Sequence, residues 1–182
     1  FLFHQGRAAE NTLFTQLGKL VEPNSIIPSN GHFDTTHDNI EANKISAVNF
    51  FSDELSKNPT AAFSGNMNIT GLRELLQQSS KQIPLIYATI TNNTGGGQPV
   101  SLQNLQAIHA LCDEYGKPFF LDACRFAENA YYIKHREDEY KKYSITEIVH
   151  AMFSLGDGFT ISLKKDGLSN IGGALFVKKE SV

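Results

Sequence analysis

Four short stretches carry residue types that could do chemistry: HQGR at 4–7, TNNTGGGQP at 91–99, FLDACR at 120–125 and SLKKDGLSNIGG at 162–173. The last sets a pair of amines, Lys164 and Lys165, behind an apolar run. FLDACR ends such a run on a carboxylate, Asp122, with Arg125 three residues on. Asn93 leads into a glycine loop, and Gln5, Gly6 and Arg7 open a helix whose N–H groups can hold an anion. An amine, a carboxylate and an anion cradle are what pyridoxal phosphate requires. The lysine attaches the cofactor, the phosphate fills the cradle, and the carboxylate keeps the pyridine nitrogen protonated so that the ring can withdraw electrons. A cationic neighbour makes a lysine easier to deprotonate, which gives Lys164 a purpose beside Lys165. Gly172 and Gly173 would then permit close backbone approach.

Taken singly, each stretch has a plainer reading. A Gly-Arg at a helix start is ordinary surface, NNTGGGQP is a turn, a strand-end Asp caps the next helix, and Lys-Lys is a solvated charge pair. What joins them is position. The predicted strands are SIIPSN (25–30), ISAVNFF (45–51), PLIYATIT (84–91), PFFLDA (118–123), GFTIS (158–162) and GALFVK (173–178). Helical patterns lie over AAENTLFTQLGKL, over ITGLRELLQQ behind Asn68, and from Ser101 to a stop at Gly116. RFAENAYYIK begins another, and Ser144 with Glu147 forms the capping box of a helix reaching about Phe153. Strands alternating with helices predict a single α/β domain: a mostly parallel sheet covered by helices on both faces. In such sheets ligands collect at the carboxyl ends of strands, which is where the four stretches fall.

Bulk properties narrow the function classes. A net charge of −3 without a basic stripe argues against a nucleic-acid partner. No apolar run reaches membrane-spanning length and no signal-peptide pattern is present, so neither a membrane nor secretion is expected. Two cysteines form no disulfide framework, and the setting expected is cytoplasmic. His4, His32, His37, His109, His135 and His150 lack metal-site spacing, and neither a nucleophile elbow nor a Walker loop occurs. The chain opens without methionine and is expected to be a piece of a longer protein.

With these residues in view, the chain resembles the β-eliminating lyases, the family of the tryptophanases and tyrosine phenol-lyases. HQGRAAEN, FDTTHDNIE, TNNTGGGQPVSLQNL, FLDACRFAENAYYIK, SITEIV and SLKKDGLSNIGG match in the family's order, across essentially the whole length. The resemblance implies the aminotransferase-like fold type I of pyridoxal phosphate enzymes. Residues 1–182 would be the central part of its large domain, with the N-terminal arm and C-terminal small domain absent. It implies that Lys165 attaches the cofactor and later moves the Cα proton, and that Asp122 faces the pyridine nitrogen. Arg125 and Asn93 would contact the phenolic oxygen, and Phe33 would stack on the ring. Gln5, Gly6, Arg7, Ser162 and Lys164 would surround the phosphate. The backbone of Asn170 would ligate a monovalent cation, potassium, and the full-length protein would be a homotetramer.

The implied reaction is carbon–carbon lysis of an amino acid: tryptophan to indole, pyruvate and ammonia. Asp34, directly after Phe33, favours the tryptophanase branch, where a carboxylate near the leaving group helps manage its proton. Other readings are tyrosine phenol-lyase, an aldolase, a desulfhydrase, an aminotransferase, or a non-catalytic fragment. Cys124 stands where the family commonly has Ser or Thr, so a hydroxyl contact is expected to be lost. Gly95 replaces a common Ala, and Gly167 follows Asp166.

Overall fold

The computed structural model describes residues 1–58 and 61–178. Its strands are β1 (Leu2–Phe3), β2 (Ile26–Ser29), β3 (Ser46–Asn49), β4 (Ile86–Thr89), β5 (Phe119–Asp122), β6 (Gly158–Ser162) and β7 (Gly173–Val177). They form one sheet in the order β1-β7-β6-β5-β4-β2-β3. The run from β6 through β3 is parallel, while β7 is antiparallel to β6 and β1 antiparallel to β7. The helices are α1 (Gly6–Gly18), α2 (Asp34–Glu41), α3 (Asp53–Lys57), α4 (Ile69–Ser79), α5 (Leu102–Tyr115), α6 (Phe126–Arg136) and α7 (Ile145–Leu155).

Strand alternation sorts the core into two layers, because successive side chains leave a strand on opposite faces. Ile86, Ala88 and Ile90 of the β4 segment, with Phe119, Leu121 and Ala123 of the β5 segment, pack in one cluster with residues of α4, α5, α6 and α7. Leu85, Tyr87 and Phe120 point the other way, to a smaller cluster with Ala9 and Phe14 of α1 and Ile40 of α2. Both faces are therefore covered, as a parallel sheet requires. Asp122 shares parity with Phe120 and so leaves its strand on the α1 face.

The local signals perform as the sequence suggests. Asn68 accepts from the Gly71 N–H at 2.9 Å, Ser101 from the Asn104 N–H at 3.0 Å, and Ser144 with Glu147 closes a reciprocal box. Gly116 ends α5 in the left-handed region at φ 60°. Two helices escape the periodicity. α3 is five residues long, and α2 buries only Thr36 and Ile40, too few apolar positions to register as a stripe.

One buried side chain substitutes for missing sheet pairing. β2 and β4 pair only at Ser29 and Tyr87, after which Asn30 takes over. Its Nδ2 donates to the carbonyls of Thr89 (2.9 Å) and Gly65 (2.7 Å), and its Oδ1 accepts from the Thr89 N–H at 2.8 Å. Asn30→Ala would leave those three backbone groups without their partner in a buried place. We expect a loss of about 2–4 kcal/mol, read as a melting temperature lowered by roughly 5–15 °C.

Candidate active site

The carboxyl ends of β4, β5 and β6 and the N-terminus of α1 enclose a cavity of about 640 Å³, counting its open mouth. Of the residues singled out from sequence, Gln5, Gly6, Arg7, Phe33, Asn93, Asp122, Arg125, Ser162, Lys164 and Lys165 all line it. Asp34 and Asn170 do not: both are exposed, Asp34 in the first turn of α2 and Asn170 in the turn between β6 and β7. Thr35, next to Asp34, lines the cavity in its place.

Two glycines hold this corner together. A Cβ on Gly6 would lie 2.7 Å from the Ser162 Cβ, and one on Gly173 would lie 2.3 Å from the Gln5 carbonyl carbon. The start of α1 is thus pressed against the ends of β6 and β7. Gln5, its N-cap residue, makes no side-chain capping bond. Among the described residues, Arg7, Lys164 and Lys165 take part in no ion pair. An uncapped helix start ringed by cations is a built anion cradle.

The turn after β6 is fixed from both sides. Leu163 donates to the Gly172 carbonyl at 3.0 Å, and Leu168 to that of Lys165 at 2.9 Å. Asp166 reaches across to α6, where its Oδ2 accepts from the N–H groups of Ala127 (2.7 Å) and Glu128 (2.9 Å). The acid beside the lysine pair is therefore a helix cap supplied from a distant turn, with charge of the favourable sign for a helix start. It ties the lysine turn to the helix that Arg125 precedes.

On the floor, Asp122 is 4% exposed. Burial holds its carboxyl above the usual carboxylate range; the Cys124 thiol and N–H, Lys165 and Arg125 oppose that shift. Cys124 donates its backbone N–H to Asp122 Oδ1 at 3.3 Å, and its Sγ accepts the Ser162 N–H at 3.2 Å. Sulfur thus links two strand ends. Gly95 is benign, since a Cβ there would meet only the Asn92 carbonyl oxygen at 3.7 Å.

Arg125 Nη1 donates to the Thr91 carbonyl at 3.2 Å, and Thr91 itself sits at φ 52°, a left-handed conformation unusual for a β-branched residue. A bond from its Oγ1 to Asn129 Oδ1 (3.0 Å) helps hold that turn, which swings the chain so that Asn93 faces the cavity. Asn92 is instead structural, donating to the Gly31 carbonyl.

Sequence reasoning missed Glu10. It is 5% exposed, lines the cavity, and accepts from Thr36 Oγ1 at 2.7 Å and Thr35 Oγ1 at 3.1 Å. Burial and the nearby Asp122 charge push it up to about 7. The available signal was a charged residue on the buried stripe of α1, among Gly6, Ala9 and Phe14.

The donor set fits pyridoxal phosphate. An anion cradle, an amine at Lys165 and a buried acid at Asp122 border one space. The Thr89 hydroxyl in its lining is buried without a protein partner. Comparison with known proteins agrees with that class of site. The β-eliminating lyase family model matches residues 1–182. The chain is 53% identical to a tryptophanase of Salinibacter ruber over 174 residues, covering 94% of this chain and 36% of that protein. It is 40% identical to a tyrosine phenol-lyase of Pasteurella multocida over 181 residues, covering 98% and 39%. Among solved structures, a Leishmania major threonine aldolase superposes with a TM-score of 0.67 at 20% identity, covering 99% of this chain and 47% of that one. A cystathionine γ-lyase of Micromonospora echinospora gives 0.61 at 16%, covering 98% and 38%. These two show the fold alone, and it is the fold type I architecture expected from sequence. The fold is an α/β domain of that type, with a cavity at the carboxyl ends of its strands. The chain belongs to the β-eliminating lyase family, and it spans well under half the length of the curated relatives it matches.

The glycine contacts give a paired test. Gly173→Ala sets a methyl group into backbone and should cost about 1–3 kcal/mol, visible as a lowered melting temperature. Gly95→Ala should leave the melting curve unchanged.

Proposed function

We propose that the full-length protein is a pyridoxal phosphate-dependent carbon–carbon lyase that splits an aromatic L-amino acid by β-elimination, tryptophan giving indole, pyruvate and ammonia. The observation that carries this reading is the convergence of Asp122, Lys165 and the cation-ringed start of α1 on one cavity. Family membership supports the reaction type. Identity of 53% and 46% to two tryptophanases, against 40% to a tyrosine phenol-lyase, supports the tryptophan branch.

When bound, the cofactor supplies an electron-withdrawing ring that acidifies the Cα of an attached amino acid. The chain's own residues hold and orient. Arg7, Lys164, Ser162 and the first N–H groups of α1 would hold the phosphate. Asp122 would accept from the ring nitrogen, Arg125 and Asn93 would hold the phenolic oxygen, and Phe33 would lie against the ring. Lys165 Nζ would attach the cofactor and is the amine that would hold the Cα proton. Asp34, exposed outside the cavity, is given no step. Potassium at the Asn170 carbonyl, a homotetramer and a cytoplasmic setting belong to the proposal through the family resemblance. Among the described residues no group of three His, Cys, Asp or Glu could hold a metal ion, and no helix is long and apolar enough to cross a membrane.

The test uses the full-length protein with tryptophan, tyrosine and S-alkylcysteine. Indole and pyruvate should appear from tryptophan, and Lys165→Ala should lower turnover at least about 10³-fold. Borohydride reduction followed by peptide mapping should mark Lys165. A mark on another lysine, or transamination without pyruvate release, would overturn the proposal.

A further inference from the structure

The cavity floor holds two buried carboxyls, Glu10 and Asp122, where the cofactor's ring nitrogen calls for one negative charge. Their surroundings differ. Asp122 has partners that favour an anion: the Cys124 N–H at 3.3 Å, the Cys124 thiol, Lys165 and Arg125. Glu10 accepts from two neutral hydroxyls, Thr35 and Thr36, which favour its anion as placed but can rotate to accept from a neutral acid, and burial with the Asp122 charge outweighs them. Two like charges on one low-dielectric floor repel, so the pair divides the roles of anion and acid.

We propose that Glu10 is a positioning residue for Asp122: it is the carboxyl that keeps the proton, leaving Asp122 to face the ring nitrogen as the anion, while its bonds to Thr35 and Thr36 pin the first turn of α2 and, with it, Phe33. This rests on the cofactor reading above and extends it to a residue that reading does not use. The groups acting on Glu10 come from each element around it: Asp122 from β5, Lys165 from the turn after β6, and the two threonines from α2. Tyr87 of β4 feels its charge in turn, and hydrogen-bonds to Thr160. The first turn of α2 that Glu10 bonds is the one for which Phe33 is the N-cap residue.

The sign of the pH effect follows. Glu10 rises from an ordinary 4.5 to about 7 on folding. The folded chain therefore binds the extra proton between those values, and its stability falls as pH rises through that window. A glutamine, which mimics the protonated acid, removes the fall.

Full-length protein freed of cofactor is melted between about pH 5 and pH 8 as wild type, Glu10→Gln and Glu10→Ala. Wild type should lose about 5 °C or more relative to Glu10→Gln across that range. The difference should shrink in an Asp122→Asn background, where the repelling charge is gone. Pyridoxal phosphate binding at pH 6.5, followed by absorbance, should be within about threefold of wild type for Glu10→Gln and weakened about tenfold for Glu10→Ala, which loses the pin on α2. Parallel melting curves for wild type and Glu10→Gln, or a Glu10→Gln variant as impaired as Glu10→Ala, would overturn the inference. Failure of every form to bind pyridoxal phosphate would instead sink the cofactor reading, with the melting curves still deciding the role of Glu10.

Discussion

The arrangement depends on how closely α1 approaches the sheet. Gly173 and Gly6 leave no room for a methyl group between the start of this helix and the ends of β7 and β6. That contact fixes three things together. It aims the unsatisfied N–H groups of a 13-residue helix at the cavity. It sets Arg7 across from Lys164, and it lays Glu10, one turn further along, on the floor beside Asp122. A side chain at either glycine would push the helix away and carry all three with it. The constraint is steric and acts on backbone, so it positions the anion cradle more firmly than any exposed salt bridge could.

The second organising feature is the parity of the strands. Tyr87 and Thr89 on β4, and Phe120 and Asp122 on β5, leave the sheet on the α1 face, while their neighbours build the larger apolar layer behind. Apolar packing thus supports the site from the opposite face without intruding on it. The polar residues at strand ends are then tied to one another: Cys124 links Asp122 to Ser162, Asp166 links the lysine turn to α6, and Asn30 and Asn129 satisfy backbone where the sheet stops. Each such bond spans two elements, so the floor is held as a unit.

Much of this was readable from the residues. Strand-end Asp122, the lysine turn and the HQGR helix start carry local signatures, since a chemistry-bearing residue directly after an apolar run marks a strand's carboxyl end. The caps at Asn68, Ser101 and Ser144 follow from side-chain type at a known offset. What was not readable depends on distance in the chain. Asp166 caps a helix that starts 40 residues earlier. Cys124 joins two strand ends because its sulfur accepts a backbone N–H 38 positions away, which no local rule contains. Asp34 was drawn to the cavity by its neighbour Phe33, but adjacent residues at a helix start point in different directions, and Thr35 and Thr36 face inward instead. Glu10 was hidden because a lone acid on an apolar stripe is ordinarily a stray surface charge until a second buried carboxyl is found beside it.

These placements separate two tasks on the proposed function. Everything that would hold and polarise the cofactor sits at strand ends, in the turns that follow them, and at the starts of α1 and α2. Asp34, which the family resemblance would place near the leaving group, lies in the exposed first turn of α2 outside the cavity lining. Choice among amino acids therefore falls to groups that approach the mouth, while the acid–base character of the floor is set beneath it. On the floor, Glu10 and Cys124 bond across to other elements, so a substitution there disturbs more than one strand end or helix, whereas the Thr89 hydroxyl has no protein partner to lose.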